Sequence, residues 1–317
     1  MKLYYYQRPD SQPNFGDELN HWLWPKLRAD LFDQDASTVF VGTGTLLNDK
    51  LPARVQPAKK LVVFSTGAGY EQPLKSIPAS WEIHCVRGPL SAQQLGLPAE
   101  KAIADGGLLV AKVFTPVGTR QGTSFMPHIH SANAAAPLWQ RICEQVNIRY
   151  IDPRSPLENI MQSIGTSELV LAEAMHGAIV ADALRVPWLP IVTTPRIYAF
   201  KWQDWCASMG LTYCPYRLPP LVDYPRWGKG LRSGAAVARH WLGAGGGWQG
   251  TISTVQYGLS ADDSIIAKML DKLLNNLADN LADNLADNWA KQHPSLSRDE
   301  IFEQRLDRLQ TCLESLA

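Results

Sequence analysis

No CxxC pair occurs anywhere in this sequence, and its five cysteines, Cys85, Cys143, Cys206, Cys214 and Cys312, are odd in number. That argues against a disulfide framework or a zinc knuckle and fits a reducing compartment. Long apolar runs are also missing. No window approaches the eighteen or so residues of a membrane span, and the opening MKLYYYQRPD has one Lys and no apolar stretch, so neither a transmembrane helix nor a signal peptide is expected. The expected location is the cytoplasm, with the inner membrane face as a place of peripheral contact. There is no excess charge of either sign: 30 Lys and Arg balance 30 Asp and Glu. Without a basic surplus there is no electrostatic case for nucleic acid as a partner. GxxxxGK[ST] and GxSxG are absent, and GTGT at Gly42–Thr45 lacks the third glycine of a dinucleotide fingerprint. NAD, FAD and P-loop chemistry are therefore not expected, and no cofactor is.

What is present is a repeated device, an apolar strand-like run that ends in a glycine turn and leads into a helical pattern or loop. In the first third it appears as LYYY before NFGDELNHWLWPKL, then as TVFVG, LVVFSTGAG, WEIHCVRG before PLSAQQLGL, and AIADGG. Asp17 is expected to cap the first helix and Pro89 to open a later one. The pattern restarts with SFMPHIHS, read as a strand. It continues with the amphipathic PLWQRICEQVN, the short strand IRYIDP, the helix SPLENIMQSIG capped near Ser155, the strand SELVLAEAMHG, the helix AIVADALRV and the strand PWLPIVTT. This is α/β patterning in two βα sets, whose facing sheet edges make an interdomain cleft. The expected boundaries are 1–120, 121–225 and, for a C-terminal loop and helical extension, 226–317. In the extension PYRLPPLVDYPRWGKG reads as a connecting loop and AVARHWLGAGGGWQG as a turn. The tandem LADN repeat reads as a helix with a leucine stripe, a surface for a partner or a second copy of the chain, and Ser297 to Leu316 as a final helix.

Candidate chemistry sits at the strand ends, where α/β sheets bind ligands. His176, between ELVLA and a helical run, faces a helix N-terminus that favours anions, and imidazole moves protons near neutrality. Arg87 stands before another helix start, either as an anion clamp or as one half of an ion pair. Asp105 of DGGLL either orients a donor, accepts a proton or caps a turn, and Asn14 and Asp17 of NFGD carry the same alternatives. His128 and His130 are expected on one face of a strand, one toward the cleft, and without a third ligand no metal is expected. Arg196 and Lys201 suit a phosphate, and Trp202 or Trp205 suits a sugar ring.

In order along the chain, NFGDELN, VGTGTLL, VRGPLSA, DGGLL, PHIHS and EAMHGAIVADALRVPW resemble the polysaccharide pyruvyl transferase family, in its succinoglycan-type exopolysaccharide branch. The resemblance implies two Rossmann-like domains facing a cleft, as in GT-B glycosyltransferases. It implies phosphoenolpyruvate as co-substrate and a sugar, often lipid-linked, as acceptor, with a pyruvate ketal bridging two hydroxyls as product. It puts Arg87 and His176 at the donor, where Gly42, Gly44, Gly67, His128, His130, Arg196 and Lys201 join them. His176, Asp17 and Asp105 are then the catalytic candidates, and Asn14 and Trp202 the acceptor contacts. The family's R-L-H run reads Ala174-Met175-His176 here, so a cation must come from elsewhere, with Arg196, Lys201 and Arg185 as candidates. A nucleotide-sugar glycosyltransferase of the same architecture and a non-catalytic glycan-binding or assembly protein are the competing readings.

Overall fold

Short runs rich in β-branched and aromatic residues form two parallel sheets in the computed structural model, which describes residues 1–33, 35–194, 196–218, 264, 266–271 and 293–316. The first sheet sets β1 (Lys2–Tyr4), β2 (Thr38–Val41), β4 (Lys60–Phe64) and β6 (Trp81–Cys85) side by side in that order. A separate ribbon of β3 (Thr45–Leu47) and β5 (Gly67–Ala68) grows from the C-terminal ends of β2 and β4. The second sheet has β7 (Thr123–Met126), β8 (Arg149–Tyr150), β9 (Leu169–Ala172), β10 (Trp188–Val192) and β11 (Tyr216–Arg217), in the order β8-β7-β9-β10-β11. All five residues of β10 are buried, as a parallel strand covered on both faces requires. The order reverses direction between β7 and β9, and an open parallel sheet has its ligand crevice outside the strand ends at that switch point.

The helices are α1 (Phe15–Arg28), α2 (Leu51–Arg54), α3 (Pro89–Gln94), α4 (Val110–Val113), α5 (Ile129–Gln145), α6 (Leu157–Gly165), α7 (Met175–Ala183), α8 (Ala199–Ser208) and a C-terminal helix, Asp299–Glu314. Residues 266–271 are helical as well. One apolar core runs through both halves. Leu19, Leu23 and Trp24 of α1 pack with Phe40 and Phe64 of the first sheet and with Ile179 of α7. Phe302, Leu306, Leu309 and Leu313 of the C-terminal helix enter the same core, each contributing on the order of 2 kcal/mol. No helix among the described residues is long and apolar enough to cross a membrane.

Several expectations are corrected. The strand expected over SFMPHIHS stops at Met126, because Pro127 lacks a donor for the ladder and α5 starts at Ile129. Asp17 does not cap α1; it is the third helical residue, and it accepts from Asn14 Nδ2 at 2.7 Å. The cap position of α6, expected near Ser155, falls on its neighbour Pro156. AIADGG contributes one bridging residue, Ala102, beside Val86 rather than a strand. The expected loop from PYRLPP begins instead with edge strand β11. The rest of that loop, the glycine-rich turn and the LADN repeat lie outside the described residues.

The C-terminal helix is tied down by a buried carboxylate. Asp182, near the end of α7, accepts from Trp188 Nε1 at 3.0 Å and from the Ser297 backbone N–H at 2.9 Å, and it also holds the Ser297 hydroxyl. Arg185 continues the tie by donating to the Ser297 carbonyl at 2.6 Å and to Asp299 at 2.7 Å. Asp182→Ala removes the acceptor of three buried donors, so it is expected to lower unfolding stability by about 3 kcal/mol, read as a shifted urea midpoint.

Candidate active site

The switch point between β7 and β9 is organised by one carboxylate. Glu173 follows β9 and is fully buried; its Oε2 accepts from the His128 backbone N–H at 2.9 Å. Its Oε1 accepts from the Thr193 backbone N–H at 3.1 Å and from the Thr193 hydroxyl at 2.6 Å. Three strand ends are thereby held in register around one side chain. Burial pushes the carboxyl above its ordinary range, while the bonds from Thr193 and His128 pull the other way.

His176 is the second residue of α7, and it lies on the seam between the halves. It packs over the first turn of α1, where a Cβ at Gly16 would overlap its Nδ1. Glycine is needed there for close approach, not for an unusual φ. On the other side His176 Nε2 is 3.6 Å from Asp105 Oδ1, too long for a hydrogen bond. Asp105 Oδ1 accepts from the Gly107 backbone N–H at 2.9 Å, so it does cap the turn. Its Oδ2 and His176 Nε2 are buried without a hydrogen-bond partner among the described residues. A histidine with a carboxylate nearby and unused bonding capacity suits proton transfer or anion contact, and such pairs tighten when a substrate arrives. Asp17 lies near the same imidazole. Burial raises its carboxyl above the usual value, opposed by the Asn14 hydrogen bond and by the charges of His176, Lys201 and Arg8.

Cations converge on this crevice from both halves. Lys201 of α8 is only 8% exposed, and its Nζ donates to the Tyr70 hydroxyl at 2.9 Å. Arg8 comes from the loop after β1, where it also pairs with Asp10 at 2.6 Å. Arg196 comes from the segment after β10. His128 caps α5 and accepts from the His130 backbone N–H at 3.3 Å, with the two rings 5.0 Å apart. Burial pushes His130 down to about 4, assisted by the charges of Arg8, Arg196 and Lys201. His128 is lowered well below its ordinary value by burial, then by His130, Lys201, Arg8 and Arg196. Three cations act on two imidazoles held neutral, with the Asp10 carboxylate opposing them at His130, a charge pattern that suits an anion. No group of three metal-ligating side chains gathers among the described residues.

Other expected site residues stand elsewhere. Arg87 does clamp a carboxylate at the start of α3, but the carboxylate is the protein's own. Fully buried, Arg87 donates through Nε to Asp204 of α8 at 3.0 Å, and through Nη1 to Thr45 Oγ1 at 2.7 Å and the Gly44 carbonyl at 3.1 Å. Asp204 also accepts from the Ser91 N–H at 2.9 Å and the Ser91 hydroxyl at 2.5 Å. The guanidinium is thus committed to protein acceptors rather than to a donor substrate. Gly67 lies flat against that guanidinium and Gly42 against Trp24 and Asn20, while Gly44 has φ +132, a conformation for glycine. Their closeness serves packing around Arg87 and α1. Trp202 is fully buried and stacks on Tyr213 at 5.3 Å, and Trp205 is buried beside it, so neither presents a face to a sugar. Arg185 is bound to the C-terminal segment, which removes it as a replacement for the missing arginine.

Arg8, Glu173 and Asp204 were not singled out from the sequence. Arg8 had a usable signal, since it follows a strand as the other candidates do. Glu173 lies inside the EAMHG stretch, where His176 carries the stronger chemical signal. Asp204 had no signal, because its partner is 117 residues away.

Beside this geometry stand the comparisons with known proteins. The chain is 43% identical over 235 residues to the succinoglycan biosynthesis protein ExoV of Rhizobium meliloti (strain 1021), covering 73% of this chain and 72% of that protein. No family profile matches the sequence.

Two outcomes follow from the buried charges. The native state binds fewer protons at His128 and His130 than the unfolded chain between about pH 6.5 and 4, so stability must fall as pH falls through that window. Each histidine is expected to cost about 1 kcal/mol between pH 7 and 5.5, while the raised carboxyls of Asp17 and Glu173 act in the opposite sense. Chemical unfolding across that range, repeated on His128→Gln/His130→Gln, checks it: the variant's curve should be flatter. Asp204→Asn strands a buried guanidinium and should cost about 3 kcal/mol in the same assay.

Proposed function

Since the chain belongs to the succinoglycan-type exopolysaccharide pyruvyltransferase family, we propose that it transfers pyruvate from phosphoenolpyruvate to two hydroxyls of one hexose in a polysaccharide or lipid-linked oligosaccharide, forming a ketal and releasing phosphate. The observation that carries this reading is the convergence of Arg8, Arg196 and Lys201 on His128, His130 and Asp17 at the switch point. Phosphoenolpyruvate has two anionic groups to neutralise, and those cations suit both. The arrangement proposed is GT-B-like, with two Rossmann-like halves and the site on the seam between them. The acceptor is met in the cytoplasm, at the inner membrane face where it is lipid-linked.

The chemistry balances with the residues at hand. The methylene takes a proton, C2 becomes cationic, and a sugar hydroxyl adds to it while losing its own proton. The C2–O bond to phosphate then breaks, the second hydroxyl adds and loses its proton, and hydrogen phosphate leaves. Two hydroxyl protons are released, one balancing the proton gained by the methyl group and one carried off on phosphate. His176, with Asp105 beside it, is placed for proton delivery or for the phosphate, and Asp17, raised by burial, for a hydroxyl proton. Lys201, Arg196 and Arg8 hold the anionic groups in place of the arginine missing at Ala174. Arg87 is left out of the donor contacts.

The test is incubation with phosphoenolpyruvate and a panel of galactosides and glucosides, followed by mass spectrometry for the ketal and assay of phosphate. His176→Ala should lower kcat by at least about 100-fold, the ordinary loss for a proton-transfer group. Gly16→Ala should lower it too, by displacing His176 without touching its chemistry. Binding of a nucleotide sugar with no turnover of phosphoenolpyruvate would sink the proposal.

A further inference from the structure

The burial of Trp202 and Trp205 leaves the acceptor without the aromatic surface expected for it, and a different pair of rings stands at the crevice. Tyr70 is 40% exposed, and Val117 is the other exposed large hydrophobic residue among those described. It follows β5 in the first half, and its ring stacks on Tyr198 of the second half with centroids 5.0 Å apart and planes 29° from parallel. Phe200 extends the strip, 5.8 Å from Tyr198. Three rings in a row, one of them open to solvent, suit the C–H faces of an oligosaccharide better than one isolated sugar.

The exposed ring is held at some energetic cost. Tyr70 has φ +69, a left-handed conformation that bulky residues avoid. Gly69 before it has φ +129, and a side chain there would run into the Tyr198 ring at 2.5 Å. The Asn48 side chain donates to the Gly69 carbonyl at 3.1 Å, and the Arg87 guanidinium packs on Gly67, so the loop is braced from below. Strain that is braced and kept beside a crevice is where a binding function is expected. The ring is also coupled to the chemistry: Lys201, whose charge reaches Asp17, His128 and His130, donates to the Tyr70 hydroxyl at 2.9 Å.

We propose that Tyr70 and Tyr198, extended by Phe200, form the platform on which the acceptor oligosaccharide stacks, with the Lys201–Tyr70 bond setting it beside the anion site. This rests on the pyruvyl-transfer reading for the identity of the acceptor, but not for the existence of the platform. The tests use galactoside- and glucoside-terminated tetrasaccharides, with saturation-transfer NMR and calorimetry for glycan affinity and separate calorimetry for phosphoenolpyruvate. Tyr70→Ala should weaken glycan binding at least tenfold while phosphoenolpyruvate affinity changes less than about threefold. Tyr70→Phe, which keeps the ring, should retain most of the glycan affinity, and so should Tyr198→Phe. In the unmodified protein the bound tetrasaccharide should protect Tyr70 from nitration by tetranitromethane, read by peptide mass, which covers the case of a variant that does not fold. Unchanged glycan affinity in Tyr70→Ala, equal losses in Tyr70→Phe and Tyr70→Ala, no protection of Tyr70, or no binding of either tetrasaccharide would each overturn the platform. Glycan binding on these rings without any turnover of phosphoenolpyruvate would leave the platform standing and remove the pyruvyl-transfer reading instead.

Discussion

A buried ion pair, Arg87 with Asp204, joins the two halves of the protein. Arg87 follows a strand of the first sheet and Asp204 belongs to a helix beside the second. The pair does more than attract. Asp204 also fills the start of α3 through Ser91, and Arg87 braces the turn after β2 through Gly44 and Thr45 and packs on Gly67 in the turn after β4. Nε and Nη1 of Arg87 and both oxygens of Asp204 are met, and Nη2 reaches only the Ala68 carbonyl at 3.5 Å; such added hydrogen bonds are what a buried pair needs to offset its desolvation. Since α8 also carries Lys201, the pair fixes where that ammonium stands relative to Asp17. Docking of the halves and assembly of the charge cluster are thus one event.

The second constraint is steric. His176 fits its place because α1 begins with a glycine, and α1 holds its angle because Trp24 and Asn20 pack on Gly42. Ring edge, helix turn and strand end are each within van der Waals reach of the next, so the histidine has little freedom of position. Under the proposed role in proton transfer that rigidity matters, since misplacement by an ångström costs rate more than it costs stability. The unmet Nε2 of His176 and Oδ2 of Asp105 are affordable in such a setting because the surrounding core, not the polar pair, supplies the stability.

The sequence carried what strand ends can carry. His176, Asp105, Asp17 and Lys201 were legible because each follows or faces the end of an apolar run, and such ends converge in any parallel sheet. The parallel α/β class was legible for the same reason. What failed were judgements that depend on partners far along the chain. Arg87 at a helix start looked equally good as a clamp or a pair, and the deciding residue, Asp204, lies 117 positions later. Trp202 looked like a sugar platform, but aromatic residues stack on sugars only if they stay exposed, and Tyr213, Trp188 and Trp205 cover it. His128 and His130 lie at the start of α5 because Pro127 ends the strand before them. Tyr70 has no local sequence signature, since nothing adjacent to it marks a left-handed tyrosine.

The alanine at position 174 changes how the charge of the site can be built. An arginine there would travel with His176 on one short segment, present whenever the second sheet is folded. Here the cations are divided: Arg8 comes from the first half, and Lys201 and Arg196 from the second, so the field that acts on His128 and His130 exists in full only when the halves are docked. Two unit charges about 4 Å apart at an effective dielectric near 20 interact by about 4 kcal/mol, and doubling the distance halves that. Opening the seam by a few ångströms would therefore weaken anion binding by an order of magnitude or more, without removing any residue. The Lys201–Tyr70 bond and the Tyr70–Tyr198 stack cross the same seam. With alanine at position 174, the positive charge acting on His128 and His130 is divided between the two halves and depends on how they dock.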